Sequence, residues 1–226
     1  MSASEDRPPR RANALSRDQV VLAAVQLLDD GGTPALTVRA LSESLATGRG
    51  AIYHYVSSID EVVGTAADHV LGPVVTAEDP DAASAIRSIT LGVFRTIAAR
   101  PWVGTQLARN PSQPAVLRMW KAIGHHLLRL GVPESRLSDA GSALVNYVLG
   151  AAAQYAAGPG QAEDMTARQR YLDELAARWA DEDDDALVQD IAARLGDHDD
   201  QEQFLAGVDI FLAGVRALTN PHTDQG

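Results

Sequence analysis

With 226 residues, 46% of them hydrophobic and 22% charged, the chain is long enough to bury a core in one large or two small domains. It has no cysteine, which excludes disulfides, thiolate metal sites and cysteine nucleophiles together. The formal net charge of −11 argues against general nucleic-acid binding, but it is unevenly spread: residues 7–56 hold six arginines against four carboxylates, and the acid lies almost wholly from Ser57 onward.

The first stretch, residues 1–14, is polar and contains Pro8 and Pro9, so a disordered arm is expected. Its Arg7, Arg10 and Arg11 suit either a DNA minor groove or a solvated tail. The arm has no apolar segment of the kind a signal peptide needs. The longest apolar run, residues 143–157, is interrupted by Asn146, Tyr147 and Gln154 and is too short to span a bilayer. A soluble, cytoplasmic protein is the expectation.

A helix is expected from Ser16 or Arg17, with Val21, Ala24, Val25 and Leu28 on one face and a stop at Gly31-Gly32 before Pro34. Residues 37–56 then read as two short helices and a tight turn. Thr37 stands as N-cap, Val38, Leu41 and Leu45 share a face, Gly48 and Gly50 break the pattern, and Ile52 and Val56 restart it. The second helix leaves Arg49, Ala51, Tyr53, His54 and Tyr55 exposed to varying degrees. A short, non-acidic helix with an arginine near its start fits a DNA major groove, so the stretch is expected to be a helix-turn-helix.

Ser58-Ile59-Asp60-Glu61 spells a capping box, and Val63, Ala66, Ala67, Val70 and Leu71 give the next helix an apolar stripe that Gly72-Pro73 should end. Further stripes are Ile86, Ile89, Val93 and Ile97, closed by Arg100-Pro101; Val116, Met119, Trp120, Ile123 and Leu127; Leu144, Tyr147, Val148, Ala151 and Tyr155, closed by Gly158-Pro159-Gly160; and Phe204, Val208, Phe211, Val215 and Leu218. No convincing alternating strand is present, so the fold is expected to be all-α. Residues 161–200 form an acidic insert, a flap or helical pair, with Tyr171, Leu172, Leu175 and Trp179 on one helix and Leu187, Ile191 and Leu195 on a shorter one. The expected organisation is an arm (1–14), a three-helix helix-turn-helix domain (15–60) and a larger helical domain (61–226).

From Arg17 to Val70 the sequence resembles the TetR family of bacterial transcription regulators. The likeness is most specific in Leu36-Thr37-Val38-Arg39-Ala40-Leu41 followed by Arg49-Gly50-Ala51-Ile52-Tyr53-His54-Tyr55-Val56. The resemblance implies that Arg39 reads a base from the second helix, that Arg49, Ala51 and His54 face bases or backbone, and that Thr37, Tyr53 and Tyr55 touch phosphates. Chemistry agrees for arginine on guanine and tyrosine on phosphate, although either tyrosine could instead pack the three-helix core. Two positions depart from the family pattern. Ala46 stands for the turn glycine, which implies a slightly different turn. Ile59 stands for a phosphate-binding lysine, so the salt dependence of binding should fall by about one unit of slope.

Beyond Val70 the likeness is one of layout. It implies a homodimer joined by a four-helix bundle, for which residues 139–157 and 203–218 are the candidates, although the same small residues also suit a monomer core. It further implies a double-stranded operator and a small-molecule effector held in the larger domain. Phe94, Trp102, Met119, Trp120, His126, Tyr147 and Tyr155 are the candidate pocket residues, with core packing as the alternative for each. His125 and His126 are adjacent and cannot face one way on a helix, so no metal site is expected. No catalytic motif or cofactor fingerprint is found, so no enzyme and no cofactor are expected. The alternatives are a helical ligand-binding or interaction protein with weakened operator recognition, for which Ala46 and Ile59 speak, and an enzyme hidden in the helical body.

Overall fold

The computed structural model describes residues 15–76, 79–110, 112–157, 165–195 and 199–219, and among these the secondary structure is entirely helical. The expectations for the arm at 1–14, for the stop at 158–160 and for the side chain of Leu218 lie outside the described residues. The chain divides into two compact units, Met1–Ala66 and Ala67–Gly226.

The first unit holds α1 (Arg17–Ala35), α2 (Val38–Ser44), α3 (Arg49–Tyr53) and the start of α4 (Ile59–Val75). Ser16 caps α1 with a capping box: its hydroxyl accepts from Gln19 N at 3.2 Å, and Gln19 Oε1 accepts from Ser16 N at 2.9 Å. Gly32 breaks the helix with a φ of 65° that favours glycine, and residues 33–35 add one further turn. Val20, Ala24 and Leu28 of α1 are buried together with Leu36, Leu41, Ile52, Val56, Val62 and Val63. Val20, rather than the expected Val25, joins that face.

Between α2 and α3 the backbone closes a Schellman turn. Thr47 N donates to Ser42 O at 2.9 Å and Ala46 N to Glu43 O at 3.2 Å. Ala46 takes a φ of 48° there, so the left-handed turn is made without glycine. The expected capping box of α4 forms in altered register. Glu61 N donates to Ser58 Oγ at 3.1 Å, but the Glu61 carboxylate accepts from the amide and hydroxyl of Ser57 rather than from Ser58 N.

Contrary to the expected stop, α4 runs through Gly72-Pro73 to Val75. Leu71 and Val75 are both buried, and Thr76 Oγ1 donates to the carbonyls of Gly72 and Pro73 at 3.1 and 3.3 Å. Burial of Leu71 and Val75 offsets the hydrogen bond to the His69 carbonyl that proline cannot make, and the Thr76 hydroxyl satisfies carbonyls at the helix end.

The second unit continues with α5 (Ala82–Ala99), α6 (Pro101–Arg109), α7 (Pro114–Arg129), α8 (Glu134–Ala157), α9 (Met165–Glu182), α10 (Ala186–Leu195) and α11 (Asp200–Thr219). α5 is its central element, packing against α6, α7, α8 and α11. Ile86, Ile89, Val93 and Ile97 are buried as their spacing requires. α6 was not foreseen: Pro101 opens it at its first turn, and Val103 and Leu107 bury one face at i, i+4. α7 lacks a side-chain cap of its own, and Asp68 of α4 supplies one by accepting from Ala115 N at 2.7 Å. On α11 the buried line is Phe204, Val208, Leu212 and Val215, with Phe211 only half-buried. Arg87 of α5 grips the carboxylate of Asp209 on α11. Gly207 gives Tyr147 room, because a Cβ there would lie 2.0 Å from the tyrosine hydroxyl.

Candidate nucleic-acid interface and aromatic cluster

Thr37 caps α2 as its position in sequence implies, its Oγ1 accepting from Ala40 N at 3.0 Å. That bond uses a lone pair and leaves the hydroxyl proton available to an outside acceptor. Arg39, the second residue of α2, has a side chain 75% exposed and pairs with Glu43 at 2.8 Å. An exposed i, i+4 pair of this kind contributes well under about 1 kcal/mol and readily yields to a phosphate or a base edge. Arg49 is exposed at the first residue of α3 and has no ion pair among the described residues. Gly48 and Gly50 beside it face open space.

By helix geometry Arg49, Gly50 and Tyr53 fall within an arc of about 100°. Tyr53 is 59% exposed, His54 is exposed and Ala51 is half-buried. Ile52, fully buried, fastens this short helix to the unit's core.

Tyr55 stands apart from the group. Its ring is half-buried, edge-on to His54, and its hydroxyl donates to the carbonyl of Leu15. A tyrosine has one hydroxyl proton, and here it is committed. Tyr55 therefore ties the segment before α1 to the end of α3, with its hydroxyl proton turned to Leu15 rather than to solvent. Of the two readings open for each tyrosine, Tyr53 takes the exposed one and Tyr55 the packed one.

Glu61 closes the same region from α4. Its carboxylate accepts from Ser57 Oγ at 2.6 Å and Ser57 N at 2.8 Å, and it meets Arg17 at 3.3 Å. The Ser57 hydroxyl, then the Ser57 amide, hold its pKa below the usual carboxylate value. Ser57 and Ser16 were missed as structural residues; Ser16-Arg17-Asp18-Gln19 carries a capping signature that could have revealed one of them.

The candidate pocket residues separate into distinct places within the second unit. Phe94, Tyr147 and Tyr155 come together with Phe204 in one aromatic ladder. Phe94 stacks on Phe204 with centroids 4.5 Å apart, Phe204 stacks on Tyr147 at 5.5 Å, and Tyr155 meets Phe94 at 5.3 Å. The Tyr147 hydroxyl donates to the Phe204 carbonyl at 2.9 Å. Phe204 was not among the candidates, since it was read only as a stripe residue of the last helix.

Met119 lies instead in an apolar seam with Leu71, Val75, Val93, Leu107 and Val116, which has no room for a water molecule. Trp102 is buried on α6, and Trp120 packs over Gly141. His126 lines an open groove of about 490 Å³ with Asp79, Pro80, His125 and Arg129. There Arg129 donates to His126 Nδ1 at 3.1 Å and to the carbonyls of Asp79 and Pro80. Burial, then the charges of Arg129 and His125, push the His126 pKa down. Among the described residues no cluster of three metal-ligating side chains occurs, and no helix is long and apolar enough to cross a membrane.

Residues 20–65 match the model of the bacterial regulatory proteins of the tetR family. An HTH-type transcriptional regulator of Saccharopolyspora erythraea is 29% identical over 215 residues, 94% of this chain and 89% of that protein. The HTH-type transcriptional repressor DrrR1 of Streptomyces coeruleorubidus is 31% identical over 65% of this chain and 56% of its own length. The solved structure of SCO7222, a TetR from Streptomyces coelicolor described as a transcriptional regulator, is 39% identical with a TM-score of 0.83, covering 92% of this chain and all of that one. The chain belongs to the TetR family.

Membership of the TetR family makes it a DNA-binding transcriptional regulator rather than an enzyme, and it speaks against an interaction protein that has given up operator binding. The family match spans α2 and α3, the helices that display Arg39, Arg49 and Tyr53. The left-handed turn at Ala46 shows that the departure from the family's glycine leaves a tight turn in place.

Proposed function

We propose that the chain is a homodimeric, effector-responsive repressor of the cytoplasm, in which α3 enters the major groove of each half of a pseudo-palindromic operator. The observation that carries this reading is the exposed start of α3, where Arg49 stands between two glycines with no ion partner among the described residues, and Tyr53 follows one turn on. Arg49 and Arg39 supply bidentate donors for guanine or phosphate, and Thr37 and Tyr53 supply hydroxyl donors for phosphate. Ala51 and His54 complete the surface that faces the duplex.

Two lines of exposed residues support assembly with a second copy. Ala143, Asn146, Gly150 and Ala153 on α8, and Ala206, Ile210, Ala213 and Ala217 on α11, recur at three- and four-residue steps and are all exposed. Ile210 is 74% exposed, which is unusual for an isoleucine flanked by small residues, and the spacing suits close helix–helix packing. A repressor is favoured because the relative DrrR1 carries that description. The aromatic ladder is the favoured effector site, and an effector acts by binding one arrangement of the dimer better than the other.

Selection of genomic fragments by the purified chain at near-physiological salt tests the proposal, with the mass in solution measured by light scattering. A single pseudo-palindromic site recovered by a dimer is expected. A monomer, or fragments with no common site, would overturn it.

A further inference from the structure

The acidic insert raises the question of what holds it. Among the described residues the most extensive packing of α9 and α10 is on each other. The pair buries little apolar surface of its own: Leu172 and Ala192 are buried, while Tyr171, Trp179, Leu187 and Ile191 remain between 36% and 66% exposed. Elements with so few buried contacts sit at the low end of local stability.

Against that background Arg168, in the first turn of α9, makes an unusual set of contacts. Its guanidinium donates twice to Asp200 at the start of α11, from Nη2 at 2.6 Å and from Nε at 3.1 Å. It also lies 5.4 Å from the ring centroid of Tyr155 on α8 and 5.6 Å from that of Tyr171 on α9. The two ion-pair side chains are only 14% and 18% exposed. A planar, weakly hydrated guanidinium is the side chain best suited to this combination of a fork on a carboxylate and faces on two rings.

Tyr155 is also the outer rung of the ladder that continues through Phe94 and Phe204 to Tyr147. Arg168 thus joins the insert to the end of the ladder. Asp200 lies in the first turn of α11, where the helix N-terminus favours a carboxylate.

We infer that the α9–α10 hairpin is a latched cover over the aromatic ladder, with Arg168 as its latch, and that release of the latch admits a planar aromatic molecule to Tyr155 and Phe94. The inference rests on reading the ladder as the effector site, and the test separates the two.

Hydrogen exchange is measured along the full chain for the wild type, Arg168→Gln, Asp200→Asn and the double variant. Binding of 2-naphthol, an uncharged planar aromatic probe, is measured on the same samples. Arg168→Gln and Asp200→Asn are each expected to speed exchange in α9 and α10 by roughly tenfold or more while leaving α5 and α8 unchanged, and the double variant to add little to either. The probe is expected to bind Arg168→Gln several-fold more tightly, a gain lost when Tyr155→Leu is added. Unchanged exchange in α9 and α10, exchange that rises equally in α5 and α8, or additive single effects would overturn the latch. Faster exchange in the hairpin with no gain in probe binding would overturn its role as cover of the ladder, whatever the outcome of operator selection.

Discussion

At the start of α3 polar side chains stand in solvent, whereas along the aromatic ladder of the second unit they are turned inward and paired. Tyr53 is exposed and Arg49 has no ion pair among the described residues, but the hydroxyl of Tyr147 is spent on the Phe204 carbonyl and the guanidinium of Arg168 on Asp200. A surface that must exchange water for phosphates and base edges keeps its donors free. Under the proposed function the body changes arrangement when a ligand arrives, and paired contacts of this kind can be exchanged. Tyr55 is the instructive exception in the first unit, since it looks like its neighbour Tyr53 in sequence and behaves like Tyr147 in space.

The sharpest way to probe the contrast is to make the same cut in both units. Ile52 and Ile89 are both fully buried. Truncation of either to alanine is expected to cost about 2–5 kcal/mol. In the small first unit, Ile52→Ala should unfold α3 and abolish DNA binding while most of the helical circular dichroism survives. In the larger second unit, Ile89→Ala should lower the main thermal transition and leave the structure intact at 25 °C. Identical behaviour of the two variants would show that the units do not fold on separate cores.

A smaller and opposite effect is expected at the turn. Ala46 holds a left-handed backbone that glycine adopts freely, so Ala46→Gly should stabilise the first unit by up to about 1 kcal/mol. Chemical denaturation followed by DNA binding would detect it.

The smallest effect expected concerns the second unit alone. His126 accepts from Arg129, and its pKa lies below the ordinary histidine value of 6.5, so the folded state favours the neutral ring. Its stabilising contribution is therefore complete above that pH and is lost as pH falls through the folded value. Between pH 7.5 and 5.5 the wild type should lose under about 1 kcal/mol more than His126→Gln, because the groove is open to solvent. Parallel melting of the two proteins at both pH values checks it.

How much of this was legible in the sequence differs between the units for a physical reason. The N-cap at Thr37, the stop near Gly31-Gly32 and the exposed start of α3 follow from residues three or four apart, which the helix itself brings together. The stripe of α5 was readable on the same ground. Gly72-Pro73 misled because burial of Leu71 and Val75 outweighs a missing hydrogen bond, and burial depends on neighbours far away in sequence. The candidate pocket residues scattered for the same cause. Spacing says that Phe94, Met119 and Tyr155 face inward, but only the packing of α5, α8 and α11 decides that Phe94 and Tyr155 meet Phe204 while Met119 does not. The place of the Tyr55 hydroxyl was open on sequence, because its partner, the carbonyl of Leu15, lies 40 residues away.

That last distinction supplies the most direct test of the account. Fluorescence anisotropy on the selected operator duplex, read over a salt series, would compare the wild type with Arg49→Ala and Tyr55→Phe. The account predicts that Arg49→Ala loses roughly tenfold or more in affinity along with about one unit of salt slope. It predicts that Tyr55→Phe, once corrected for any loss of folded protein, binds as the wild type does. Loss of binding in Tyr55→Phe with Arg49→Ala unaffected would mean that the duplex is met by a face other than the exposed start of α3, and would contradict the central claim.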